Sequence, residues 1–155
     1  MREYRVVAIP EELARQVRET GRSPRYGHPA HADVAKGYGP CRLCLGFFRK
    51  GEERRVLFTH DAFEGAEALP LPGPVYIHES PCPRYPEEGR FPEHLGQHPL
   101  TLAAFGRGRH LRAEEYVDDG RVEPAIQRLL ARPDVDYIQV HDTAAGCYDL
   151  RLERA

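Results

Sequence analysis

Val135-Asp136-Tyr137-Ile138-Gln139-Val140-His141-Asp142-Thr143-Ala144-Ala145-Gly146-Cys147-Tyr148-Asp149-Leu150-Arg151-Leu152 is the stretch that decides the fold class. Two runs of alternating apolar and polar side chains, Val135 to Val140 and Cys147 to Leu152, flank a turn-forming segment from His141 to Gly146. This is the signature of an antiparallel β-hairpin. Side chains alternate across a strand, so Ile138 and Val140 face one way while Tyr137, Gln139 and His141 face the other. On the second strand Tyr148, Leu150 and Leu152 are expected inward, and Cys147 and Asp149 outward. Immediately upstream, Val122, Ile126, Leu129 and Leu130 share one helical face. Glu123 and Pro124 suit a first turn and Pro133 enforces a stop, which predicts a helix over about 123–132.

Further upstream the period of two returns. Arg54 to His60, Pro74 to Glu79 and Leu100 to Phe105 read as strands, as does Tyr4 to Ile9 at the start of the chain. Between Tyr4 to Ile9 and the long loop that follows, Pro10, the acidic pair Glu11 and Glu12, and the Leu13/Val17 spacing predict a short helix ended by Gly21. Arg22 to Pro40 has no periodicity and reads as a long loop leading into Cys41. Pro81 to Pro99 carries five prolines and reads as irregular surface. The resulting expectation is an α+β fold: a mostly antiparallel sheet of about six strands, two helices packed against it and long irregular loops, in a single domain over residues 1–155.

At 155 residues the chain is long enough for one real core. Its formal charge of −2, from 22 basic and 24 acidic residues, generates no summed field toward a phosphate backbone or an anionic membrane. Nucleic acid and membrane partners are therefore not expected, while a homodimer through an exposed sheet edge is open. The apolar stretch after Met1-Arg2-Glu3-Tyr4 is too short for a signal-peptide core, so the expected compartment is the cytoplasm. Asn is absent, Met occurs once and nearly all basic side chains are Arg, which fits either heat adaptation or a GC-rich genome.

In a reducing compartment, four cysteines point to metal binding, redox work or burial as small apolar groups rather than to structural disulfides. Cys41-Arg42-Leu43-Cys44 places two thiolates at the spacing of one half of a zinc site. Cys82 and Cys147 are the candidates to complete it, with His78 or His141 as nitrogen alternates. The same pair also admits thiol-disulfide chemistry assisted by Arg42, although no helix follows to depress a thiol pKa. A third possibility lies at the hairpin mouth, where Cys147 and His141 could act as nucleophile and base, with Asp142 or Asp149 to orient the imidazole. His28 and His31, three residues apart, are further candidates to approach Cys41 through the loop. In Gly106-Arg107-Gly108-Arg109-His110, glycine amides and the side chains of Arg107 and Arg109 form a candidate anion-binding turn. No nucleophile elbow, phosphate loop or dinucleotide fingerprint is present.

Three segments together resemble a bacterial family catalogued as domain of unknown function 1203. They are Pro40-Cys41-Arg42-Leu43-Cys44-Leu45, the run Gly73-Pro74-Val75-Tyr76-Ile77-His78 leading to Cys82, and the tail from Glu123 to Arg154. The most specific part is the tail, with Ala125 to Leu130, Val135 to Val140 and Ala145-Gly146-Cys147-Tyr148, and the resemblance runs from about Pro40 to the C-terminus. It implies no activity, cofactor or catalytic residue, and it draws attention to Cys41 and Cys147 rather than to a fixed pair at Cys44 and Cys82. The readings that stand are an accessory or ligand-binding protein holding zinc through its cysteines, a thiol enzyme using Cys41/Cys44 or Cys147, and a metal-free interaction module.

Overall fold

The computed structural model describes residues 4–67 and 70–155. The fold is α+β, with two helices and two antiparallel sheets. The chain divides into two compact units: Ala8–Asp61 with Pro72–Tyr85, and the remainder, Met1–Val7, Ala62–Leu71 and Pro86–Ala155. Among the described residues no helix is long and apolar enough to cross a membrane.

The larger unit is built on a five-stranded sheet. Its strands are β1 (Tyr4–Val7), β5 (Leu100–Phe105), β6 (Leu111–Val117), β7 (Tyr137–Asp142) and β8 (Tyr148–Arg154), in the order β1-β8-β7-β5-β6. The hairpin read from the sequence is β7 and β8, at the sheet's centre. Val6, Leu102, Ala104, Ile138, Val140, Leu150 and Leu152 are fully buried on one face. Register aligns them into cross-strand rows, with Leu152 opposite both Val6 and Ile138, and Val140 opposite both Leu150 and Leu102. Helix α2 (Val122–Leu130) packs against β5, β6 and β7. It buries Val122, Ala125, Ile126, Leu129 and Leu130, each large aliphatic side chain contributing roughly 1.5–3 kcal/mol. Pro124 is tolerated because the first helical amides have no acceptor in the helix.

The smaller unit carries α1 (Glu11–Thr20) and a three-stranded sheet, β2 (His31–Val34), β3 (Arg54–Asp61) and β4 (Pro72–His78), with β3 central. Gly21, at φ 64°, ends α1 by returning its N–H to the Val17 carbonyl at 2.9 Å, a conformation that glycine adopts without steric cost. Arg55 on β3 pairs with Asp33, its register partner on β2, at 2.9 Å, and lies over the Tyr76 ring at 3.9 Å. The arginine holds the Asp33 carboxyl below its usual range.

Eight strands replace the expected six, and they form two sheets rather than one. The two additions are β2, inside the segment read as loop, and β6. Both are edge strands with mostly exposed side chains, so neither shows clean apolar alternation. The helices also belong to different units, with α2 packing on the five-stranded sheet of its own unit. A register shift between Val140 and His141 changes the hairpin mouth. Tyr148, expected inward, is carried opposite His141 and meets its ring edge-on at a centroid distance of 6.1 Å. Ile138 is the tightest test of this core: Ile138→Ala should lower unfolding free energy by about 2–5 kcal/mol with an unchanged denaturant slope, measured by urea titration.

Candidate metal centre

Cys41 and Cys44 are the two ends of one tight turn. The Leu45 N–H donates to the Cys41 carbonyl at 2.8 Å, and the Cys41 N–H donates to the Gly46 carbonyl at 2.9 Å. Leu45 takes a left-handed conformation, φ 61°. That costs roughly 1–2 kcal/mol for a residue with a Cβ, offset by the full burial of its side chain. The turn is tied to β4 by the Arg42 N–H donating to the Tyr76 carbonyl at 3.0 Å. His78 is the last residue of β4, and Cys82 follows it in irregular chain.

These connections bring Cys41, Cys44, His78 and Cys82 together, with three Sγ atoms and one imidazole nitrogen all within 4.8 Å of one another. The group could hold a metal ion. Cys41 Sγ lies 3.8 Å from Cys82 Sγ, and Cys44 Sγ lies 3.4 Å from Nδ1 of His78. A tetrahedral zinc with Zn–S of about 2.3 Å sets its sulfurs about 3.8 Å apart and its S···N edges slightly shorter. These two separations match.

The surroundings fix each donor. His78 presents Nδ1 to the sulfurs and turns Nε2 to the Glu53 carboxylate at 3.2 Å, so the carboxylate orients the ring and favours the tautomer that leaves Nδ1 free to coordinate. The ring packs edge-on to Phe48 at 4.8 Å. The backbone N–H of His78 points at Cys41 Sγ (3.3 Å) and that of Gly46 at Cys44 Sγ (3.4 Å). Arg18, in the last turn of α1, reaches Cys82 Sγ at 3.5 Å and the carbonyls of His78 and Ser80. Amides and a guanidinium aimed at sulfur stabilise thiolate.

Charge within the group is uneven. The Cys44 thiol, and then that of Cys82, hold Cys41 far below its usual pKa. Cys44, bonded to Cys41, is pushed well above its own. Cys41 and then Cys82 raise His78 to about 10. Four groups this close share protons as one unit, with negative charge gathered on Cys41.

Of the residues expected from sequence, Cys41, Cys44 and Cys82 converge, and the alternate His78 is the nitrogen donor beside them. Cys147 and His141 lie outside this group, in the other unit at the β7–β8 turn. There the Cys147 thiol lies 3.8 Å from the Ala145 carbonyl. Cys147 is replaced among the gathered donors because β4 is hydrogen-bonded to the Cys41 turn, which presents His78 and the chain just after it. His28 is bound instead to Thr59, at 2.8 Å, and His31 is exposed on β2. Arg42 is buried, its guanidinium donating to the Pro40 carbonyl. Arg107 forms a two-pronged pair with Glu67, at 3.0 and 3.1 Å, and Arg109 lies over the Phe63 ring. Sequence reasoning missed Glu53 and Arg18. Glu53 has no local signature, because only the pairing of β3 with β4 brings it beside His78.

The match to a family model, over residues 38–154, takes in all four donors, Glu53 and the whole five-stranded sheet except β1. The chain belongs to the DUF1203 family. That family is described as a protein of unknown function. No curated protein and no solved structure matches the chain.

In this DUF1203 chain the tightest steric demand beside the centre falls on Gly39. Its φ is 92°, and a Cβ there would stand 2.6 Å from the Phe48 ring that backs His78. Gly39→Ala combines backbone strain with a clash, and should destabilise the protein by about 2 kcal/mol or more, read as a lowered Tm alongside a reduced metal content.

Proposed function

We propose that the protein is a zinc protein in which Cys41, Cys44, Cys82 and Nδ1 of His78 complete a closed Cys3His site, and that the metal is structural. The observation that carries this reading is the convergence of four protein donors within 4.8 Å, with the imidazole already oriented by Glu53. Three thiolates and one imidazole select zinc over the hard oxygen-seeking cations. Four protein ligands fill a tetrahedral shell and leave no position for water or substrate, which distinguishes a structural from a catalytic zinc. The smaller unit has a physical need for such a staple, because a body of roughly 70 residues has a small core and gains much from one cross-link. An ion here would bind a turn, a strand end and irregular chain into one piece.

The thiol-enzyme reading is less well supported at this site. Cys41, the sulfur with the most thiolate character, is 0% exposed, and a nucleophile must reach its substrate.

Protein purified tag-free under reducing conditions without added metal should contain one zinc per chain by elemental analysis. Chelation should lower its Tm, since metal bound only to the folded state stabilises it. Cys41→Ser, Cys44→Ser and Cys82→Ser should each lose zinc, while Cys147→Ser should keep it. A well-folded protein with no metal, and a Tm indifferent to both chelator and added zinc, would rule the proposal out.

The carboxylate–imidazole pair offers a finer check. Glu53→Gln should weaken zinc binding about 10- to 100-fold without changing the stoichiometry at saturating metal, as measured by competition with a chromophoric chelator. Zinc must also displace protons from the thiols and from His78, which is raised to about 10. Apparent affinity should therefore fall steeply as pH is lowered below 7, because each proton retained by a donor opposes the metal.

A further inference from the structure

The face of the five-stranded sheet opposite α2 is covered at one end by a cluster of Phe63, Phe105 and Tyr137, and a cleft of about 1100 Å³ lies on it, at the upper end for a small-molecule site. All of its lining belongs to the larger unit. Its floor is set by strand register: Ala103 on β5 stands opposite Gln139 on β7 and opposite Glu114 on β6. The smallest side chain of the three sits in the middle, so the row is a gap flanked by two acceptor-bearing side chains. Adjacent strands lie about 4.8 Å apart, which places the β6 and β7 backbones about 9.6 Å apart. Phe63 and Phe105, packed edge to face at 5.2 Å, supply an aromatic wall beside the gap.

Gln139 is the informative residue. It is only 1% exposed, and its Nε2 donates to the Ala62 carbonyl at 3.3 Å, which orients the amide. Among the described residues nothing donates to its Oε1, which belongs to a side chain lining the cleft. The cleft reaches this oxygen, and a ligand N–H would take the place of water there. Across the gap, Glu114 is exposed and makes no ion pair among the described residues. Other charges on the rim are already engaged: Glu67 with Arg107, Arg109 over the Phe63 ring, and Asp142 as acceptor of the Ala145 N–H at 2.9 Å.

We infer that this cleft binds a small, flat, aminated heteroaromatic molecule, which lies over Ala103 against Phe63 and Phe105 and donates from its two edges to Gln139 Oε1 and the Glu114 carboxylate. The inference is independent of the metal centre, which lies in the other unit. The ring supplies apolar area, the gap admits its thickness, and the acceptors on both sides require N–H groups on both edges. A purely aliphatic or donor-free molecule leaves Gln139 unsatisfied.

Isothermal titration calorimetry of the full-length, zinc-replete protein with 2-aminobenzimidazole tests this directly, with 1,2-dimethylbenzimidazole as the matched ring lacking N–H donors. The expected result is saturable one-site binding of the first and at least about tenfold weaker binding of the second, the loss of roughly one charge-assisted hydrogen bond. Ala103→Leu fills the gap and should abolish binding. Should that variant fail to fold, Glu114→Ala, on the exposed edge strand, decides the matter and should bind at least about fivefold more weakly with unchanged Tm. Absence of saturation at millimolar probe, equal affinity for the two rings, or wild-type affinity in Glu114→Ala would each overturn the inference.

Discussion

Three thiols and an imidazole held within 4.8 Å cannot behave as four separate groups. Either they share too few protons among too many sulfurs, or a cation stands among them. The smaller unit depends on how this is resolved, because the donors come from the Cys41 turn, the end of β4 and the chain beyond it. Repulsion between thiolates would drive these segments apart, whereas coordination would hold them together. The backbone N–H groups of His78 and Gly46 and the Arg18 guanidinium already partly offset negative charge on sulfur. Neutral amides and one guanidinium offset only part of the charge that three thiolates would carry, and a divalent ion would supply the rest.

The larger unit obeys a different constraint. Its core needs only one face of the sheet, the face carrying Leu102, Ile138, Val140, Leu150 and Leu152, on which α2 packs. Along β5 and β7, alternation then places Thr101, Ala103 and Phe105 beside Tyr137, Gln139 and His141 on the opposite face. That face is not an ordinary solvated one. Gln139, Ala103, Phe105 and Tyr137 are all at most 9% exposed, because Phe63 and the chain around it fold over one end. Gln139 spends its Nε2 on the Ala62 carbonyl, and its Oε1 is left to the cleft. The cleft is therefore a direct consequence of the period-two pattern combined with partial cover.

Legibility in the sequence followed the range of the interactions involved. The hairpin of β7 and β8, helix α2 and the spacing of Cys41 and Cys44 are local patterns, and all three could be read directly. Strands β2 and β6 could not, because an edge strand with exposed side chains takes its stability from a neighbour's hydrogen bonds and not from its own apolar rhythm. The choice between His78 and Cys147 was equally invisible. Both stand next to strand ends, and long-range bonds, from Arg42 N–H to the Tyr76 carbonyl and from His78 N–H to Cys41 Sγ, place the end of β4 against the cysteine turn. Strict alternation also failed at register shifts, between Ala104 and Phe105 and between Val140 and His141, and the second moved Tyr148 from the expected core face to the side of His141.

The division of labour between the two units follows from these constraints. If Cys41, Cys44, Cys82 and His78 all ligate one ion, the shell would be closed by the protein itself and would leave no position for a substrate. Chemistry or recognition directed at another molecule must then be sought elsewhere. On the five-stranded sheet, the face that carries the cleft sets the Gln139 side chain beside an open volume. A metal in the smaller unit would answer a problem of stability, that of a small body with long irregular segments, while in the larger unit the core lies on the α2 face of the sheet and the cleft on the other. Cys147, apart from the other three cysteines and half-exposed in the β7–β8 turn, is not needed by the first unit and lies at the margin of the second, close to Gly146 on the rim of the cleft.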